Sequence, residues 1–221
     1  MTETILCEAR RLDRLVSNLL DASRLEASVA EPEAGLWEIE DLLLQALDGI
    51  GAAEPRIEVV FSENESSKVR VDIRQVERVL ANLLENALRY SAASQRVRVQ
   101  VNETGSEVLI RVIDHGPGIA PGETERIFEP FQRGSRTAEV QGAGLGLAIA
   151  RGFAEVNGGR VWAESLEGQG ATFVFALPLA TVEAESARVK RRRGRRGWRP
   201  ISAAHDSEHT ACSSDPVRRS A

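Results

Sequence analysis

Cysteine is nearly absent: Cys7 and Cys212 are the only two in 221 residues, one near each end. That excludes a disulfide framework and a thiolate metal site, and it suits a reducing, cytoplasmic setting. Long apolar runs are missing as well, none approaching the roughly 20 residues that cross a bilayer. The opening Met1-Thr-Glu-Thr-Ile-Leu-Cys-Glu has no basic region followed by an apolar core, so it does not read as a signal peptide. Membrane attachment would have to come from outside this sequence. Aromatic residues make up only 5%, which is low but points to no class.

What the sequence does have is charge, unevenly placed. Residues 181–221 carry 10 of the 28 Lys/Arg and 5 of the 33 Asp/Glu, which leaves 18 and 28 for residues 1–180. The body is thus acidic by 10 charges and the tail basic by 5. An acidic body lacks the clustered cations that phosphate backbones require. The run Arg188-Val-Lys-Arg-Arg-Arg-Gly-Arg-Arg-Gly-Trp-Arg199 reads as a solvated, disordered extension, and no nucleic-acid partner is expected.

Periodicity organises the rest. Ile5, Leu12, Leu15, Val16, Leu19, Leu20 and Leu25 recur at helical spacings, so residues 4–27 predict an amphipathic helix. Nothing nearby offers to bury its stripe. Ser28–Gly35 reads as a linker, and a second helix is expected from Leu36 to Ile50. Short strands are expected at Arg56–Phe61 and Lys68–Val71, then a helix over Ile73–Tyr90 with Asp72 as its N-cap. Period-two alternation marks Arg96–Val101 and Glu107–Ile113, and a final hairpin joins Arg160–Glu164 to Ala171–Leu177. Between them lie a polar stretch, 132–141, and a helix over Leu145–Val156. About five strands and three helices predict an α+β two-layer sandwich, a mixed sheet covered on one face and preceded by one long helix.

Three segments could carry chemistry. On the Ile73–Tyr90 helix, Asn82, Asn86, Arg89 and Tyr90 are three or four apart and share a side. A carboxamide oxygen is a neutral hard ligand suited to Mg2+ already held by phosphates, although asparagine is also a common solvated helix residue. Asp114-His-Gly116-Pro-Gly118-Ile119 follows a strand directly. A carboxylate there can accept from an exocyclic amine, and glycines let backbone approach a flat ring; Pro117-Gly118 equally suits a type II turn. Gly142-Ala-Gly144-Leu145-Gly146-Leu147 opens a helix, where free amides can face phosphate oxygens. Its spacing and preceding polar loop fit neither a dinucleotide fingerprint nor a P-loop.

In order and spacing, these segments and Ile127-Phe128-Glu-Pro-Phe131-Gln-Arg133-Gly resemble the N, G1, F and G2 boxes of sensor histidine kinases. The resemblance covers residues 4–178. Within the family, Val76–Ala87 and Leu19–Glu26 look most like the potassium-responsive Kdp-type sensors.

The resemblance implies ATP and Mg2+ as ligands. Asn86 would hold the metal, with Asn82 and Arg89 near the phosphates and Arg133 placed to reach the γ-phosphate. Asp114 would take the adenine amine in a pocket shaped by Gly116, Gly118, Ile119 and Tyr90. Phe128 and Phe131 would anchor a lid over 132–141, by core packing or beside it. Gly142, Gly144 and Gly146, with Leu145 and Leu147, would hinge the lid and meet the phosphates. ATPase relatives of the fold carry a general-base Glu where this chain has Asn82, and an amide cannot take a proton near neutral pH. Glu85 points about 100° away around the helix. Hydrolysis is thereby disfavoured, whereas phosphoryl transfer to an imidazole is not.

The family's acceptor histidine, in a His-x-x-x-x-Pro segment, has no counterpart among His115, His205 and His209. The resemblance therefore implies a chain that begins after the acceptor helix. Residues 1–28 would be the second helix of a dimerisation and phosphotransfer hairpin, 29–35 a linker, 36–180 the catalytic domain and 181–221 the tail. Its partners would be a histidine-bearing hairpin on another chain, a response regulator, and a second copy meeting it through 4–27. A non-catalytic ATP-binding relic, or a module that interferes with dimers, is the alternative.

Overall fold

The central helix shows how this chain folds. In the computed structural model, which describes residues 2–27, 32–51, 56–61, 67–132 and 143–180, α3 runs from Ile73 to Tyr90 as its periodicity predicts. Asp72 caps it by accepting the backbone N–H of Arg74 at 3.0 Å, which satisfies one of the amides a helix start leaves open. Val76, Val79, Leu80, Leu83, Leu84 and Ala87 are buried along one face.

That face lies on a mixed five-stranded sheet. The strands are β2 (Ile57–Phe61), β4 (Val97–Thr104), β5 (Glu107–Ile113), β7 (Ala171–Pro178) and β6 (Arg160–Ser165), in that spatial order. Only β2 and β4 are parallel, and α3 lies in the connection between them, as parallel neighbours require. Val97, Val99 and Val101 on β4, Val108, Ile110 and Val112 on β5, and Phe173, Phe175 and Leu177 on β7 supply the sheet's half of the core. Every second residue does so because strand side chains alternate between faces. On the outward face Leu109, Val174 and Ala176 form a small second cluster with Trp162.

α2 (Ile39–Gly51) and α4 (Gly146–Val156) complete the helical layer beside α3. The expected sandwich is therefore observed, and α1 (Thr2–Glu26) precedes it. Gly158, at φ 76°, lets the chain leave α4 in a left-handed turn.

One expectation is corrected. Residues 36–38 are not the start of α2 but lie in a strand, β1 (Gly35–Glu38), antiparallel to β3 (Lys68–Val71) in a separate two-stranded sheet. Leu36 is 42% exposed, whereas Trp37 packs on the core. Pairing with β3 satisfies backbone groups that a longer α2 would leave open at its N-terminus, and Ile39 N–H then donates to Ser67 O at 2.9 Å. The expected linker, 29–35, runs into the same strand. Gly35 belongs to β1, and Glu33 N–H donates to Asp72 Oδ2 at 2.9 Å. The expected disorder of 181–221 falls outside the described residues.

Candidate nucleotide site

Asp114 follows β5 and is 4% exposed. Its Oδ1 accepts the N–H of Gly116 at 2.8 Å and of Ala171 at 3.2 Å. Burial raises its pKa above the ordinary carboxylate value of 3.8, against the lowering effect of those two amides and of neighbouring His115. A buried carboxylate whose two hydrogen bonds both fall on Oδ1 keeps Oδ2 as an acceptor. That suits an amine donor.

The loop around it is stitched to the β6–β7 hairpin. Gly168 N–H donates to Pro117 O at 2.9 Å, Ile119 N–H to Ser165 Oγ at 2.9 Å, and Ser165 Oγ–H to Gly170 O at 2.7 Å. Gly116 passes so close to the end of α3 that a Cβ would sit 2.9 Å from Tyr90 O. Gly170 is a determinant that motif reading missed: at φ 87°, its Cβ would sit 2.1 Å from Asp114 O. The doublet Gly168-Gln-Gly170 in a hairpin was the available signal, but the backbone it touches lies in another loop.

The end expected to meet the phosphates is built by α3 and α4. Asn82 is 8% exposed, and its Nδ2 is buried without a partner, one of two such side-chain atoms among the described residues, with Ser67 Oγ. A Cβ on Gly146 would come within 3.1 Å of Asn82 Oδ1, so glycine is what lets the start of α4 approach this amide. Leu145 provides no side-chain cap there, and the first amides of the helix have no intrahelical partner. A donor-rich, uncapped helix end beside a buried, unpaired amide fits an anion.

The other expected residues divide. Asn86 and Tyr90 are half-buried on the Asn82 side of α3, while Arg89 is exposed in its last turn. Ile119 and Leu147 pack on the core, and Leu145 is buried. Phe128 is buried edge-to-face with Phe173 at 6.4 Å, and the Arg151 guanidinium lies over its ring, 4.2 Å from the centroid. Phe131, the other expected anchor, does not pack in the core. Its ring is 69% exposed and its φ is 64°. Its backbone N–H donates to Gly144 O at 2.9 Å, so main chain rather than ring holds it, and Gly144, at φ 71°, accommodates that approach. Arg133, Gly142 and the lid residues between them lie outside the described residues.

Glu85 pairs with Arg14 at 3.6 Å, which agrees with its expected orientation away from Asn86. No group of three or more His, Cys, Asp or Glu that could hold a metal occurs among the described residues. A cation here would lean on phosphates and a carboxamide. A cleft of about 440 Å³ also touches Asp114 and His115. Its liners Ile113, Glu164 and Thr172 are in register across the sheet and alternate with the core-facing Val112, Ala163 and Phe173. It therefore opens on the outward face, away from Asn82.

A sheet end and a helix end arranged in this way define an α+β nucleotide-binding domain of ATPase type. Comparison with known families makes the class specific. The family "Histidine kinase-, DNA gyrase B-, and HSP90-like ATPase" matches residues 71–181, about half of the chain, and the chain belongs to it. It is similar to the sensor protein KdpD of Mycobacterium tuberculosis, 40% identical over 176 residues. That match covers 76% of this chain and 20% of KdpD, so the chain spans about a fifth of that relative's length. Among solved structures it is similar to full-length ShkA in complex with AMPPNP, with TM-score 0.63, 34% identity, and coverage of 78% of this chain and 36% of ShkA. The nucleotide-free catalytic domain of the histidine kinase ThkA has TM-score 0.55, 27% identity, and coverage of 66% and 97%. No described helix is long and apolar enough to cross a membrane.

Proposed function

We propose that this chain is the ATP-binding catalytic region of a two-component sensor kinase, which phosphorylates a histidine carried on another chain. The observation that carries the reading is the buried, unpartnered Nδ2 of Asn82 beside the glycine-lined, uncapped start of α4. A donor left unpaired in a folded core is costly unless a ligand completes it. A phosphate oxygen would complete this one. ATP, when bound, supplies the γ-phosphoryl group and its Mg2+.

The chain's own groups do the rest. Asp114 accepts from the adenine amine, and Gly116 and Gly118 let the backbone lie against the ring. Asn86 offers its carboxamide oxygen to Mg2+, and Arg89 and Arg133 add positive charge near the phosphates. Asn82 occupies a place where a carboxylate would activate water, and as an amide it cannot. The site therefore holds and orients ATP for an incoming imidazole more readily than it hydrolyses it. In the same reading, residues 1–28 belong to a dimerisation and phosphotransfer hairpin, residues 36–180 form the catalytic domain, and the phosphate passes on to a response regulator. The work takes place in the cytoplasm.

Titration with a fluorescent ATP analogue and Mg2+ tests the site. Saturable binding is expected, weakened about 10- to 100-fold in Asp114→Asn, because a charge-assisted acceptor is replaced by a donor. The pH dependence has two opposite signs. Nucleotide affinity falls as pH drops through the raised Asp114 pKa, since the acceptor is protonated. Fold stability moves the other way. The burial penalty on the carboxylate is full above the raised value, is relieved as pH falls toward 3.8, and vanishes below it. Asp114→Asn, which keeps Oδ1 as an acceptor, should therefore raise the thermal midpoint at pH 7. Equal affinity in wild type and Asp114→Asn would sink the site assignment. Absence of transfer from labelled ATP to a saturating acceptor hairpin would favour the non-catalytic relic.

A further inference from the structure

Helix α1 docks on the domain the wrong way round for a surface helix. Arg14 pairs with Glu85, Ser17, Asn18 and Asp21 bond to Arg78, and Leu25 lies against Gly152. At 100° per residue these five positions fall within about 100° of the helix circumference. Leu12, Leu15, Val16, Leu19 and Leu20, all more than a third exposed, centre on the opposite side. An ordinary surface helix buries its apolar stripe and shows its polar one to water. Here the polar stripe faces the domain.

The centre of that contact is one guanidinium. Arg78 Nε donates to Asp21 Oδ2 at 2.7 Å, and its Nη2 donates to Ser17 Oγ at 3.0 Å and Asn18 Oδ1 at 2.9 Å. The Arg78 and Asp21 side chains are only 26% and 13% exposed, so the pair is sheltered but not sealed. The planar fork holds three acceptors across two successive turns of α1, which an ammonium cannot do. Leu25 adds a notch: a Cβ on Gly152 would sit 2.7 Å from Leu25 Cδ1. Polar contacts of this kind are specific in geometry, yet water can replace them when they open, unlike a buried apolar seam.

Location gives the contact its meaning. Arg78 lies on α3 one turn before Asn82, and Arg78, Asn82 and Asn86 recur every four residues. Gly152 lies on α4, whose first turn meets Asn82. α1 thus bridges the two helices that carry the phosphate end of the site. We infer that α1 is held by a detachable polar latch, with Arg78 as its hook and Ser17, Asn18 and Asp21 as its catch, and that latching is coupled to nucleotide occupancy. The second half of this inference rests on the nucleotide reading above; the first half does not.

Amide hydrogen exchange on the full chain tests both halves. Without nucleotide, Arg78→Ala and Asp21→Asn should each speed exchange over residues 12–26 by roughly tenfold or more, leaving β4, β5 and β7 protected as in wild type. Arg78→Lys, which keeps the charge and loses the fork, should fall between. Unchanged α1 exchange in both variants overturns the latch. Equal acceleration in the central strands overturns it too, because Arg78 would then be a residue of general stability. With a saturating Mg2+–ATP analogue, wild-type α1 exchange should shift and that of Arg78→Ala should not. Bound nucleotide without an α1 shift overturns the coupling alone. Failure to bind nucleotide overturns the site and the coupling, while the nucleotide-free comparison still decides the latch.

Discussion

Two buried asparagines, one at each end of the α3–α4 layer, are equally hidden and differently treated. Asn157 and Asn82 are each 8% exposed. Asn157 caps the end of α4; its Oδ1 accepts Asp72 N–H at 2.8 Å, and its Nδ2 donates to Gln75 Oε1 and Phe153 O, both at 2.8 Å. It ties the end of α4 to the start of α3, where Asp72 also holds Glu33. Asn82 has a buried Nδ2 with no partner among the described residues. The difference separates an amide that serves the fold from one that, in the proposed site, a phosphate oxygen would complete. Burial alone does not distinguish them; hydrogen-bond satisfaction does.

Three substitutions can break or sharpen that contrast. The largest effect belongs to a position where space rather than polarity decides. Gly170→Ala must move backbone, because its Cβ would meet Asp114 O at 2.1 Å and its φ is 87°. A loss above about 4 kcal/mol is expected, read by chemical denaturation. A loss under 1 kcal/mol would mean that the loop around Asp114 yields easily and is not a fixed pocket wall.

Asn157→Ala comes next. It removes three hydrogen bonds, among them those to Asp72 N–H and Gln75 Oε1. About 2–4 kcal/mol of stability should go, with nucleotide affinity little changed once the protein is folded. If affinity falls as much as stability does, the two ends of the layer are not separable.

Asn82→Ala should cost the least stability, within about 1 kcal/mol, because it deletes an unpaired polar group as well as some packing. Its effect should appear in nucleotide affinity, reduced about tenfold. A large stability loss with unaltered affinity would make Asn82 another structural asparagine and undo the contrast.

Much of this fold was legible. The bounds of α3 and its Asp72 cap follow from local period and cap chemistry, which act within a few residues. The β4–β5 and β6–β7 hairpins follow from alternation and glycine-bearing loops. β1 was misread because Leu36 continues a helical spacing, and only β3, more than 30 residues on, outbids it. Phe131 was grouped with Phe128 because both belong to the segment that resembles the F box. The structure separates them because one ring reaches Phe173 and the other meets no core. Asn157 carried no motif, since its bond to Asp72 spans 85 residues.

The sequence by itself determined the layer architecture, the order of the asparagine- and glycine-centred segments, and their place at helix and strand ends. Those features depend on neighbours three or four residues away, or on backbone freedom at single glycines. Tertiary structure alone decided which of two buried amides stays unpaired, which glycine of the β6–β7 hairpin must press on Asp114, and which face of α1 meets the domain. Each of these is settled by an atom far away in the chain: the start of α4 for Asn82, the loop after β5 for Gly170, the guanidinium of Arg78 for α1. Local periodicity could announce that α1 has an apolar stripe. It could not say that the polar stripe would turn inward, because that depends on a single fork on another helix, 57 residues beyond Asp21.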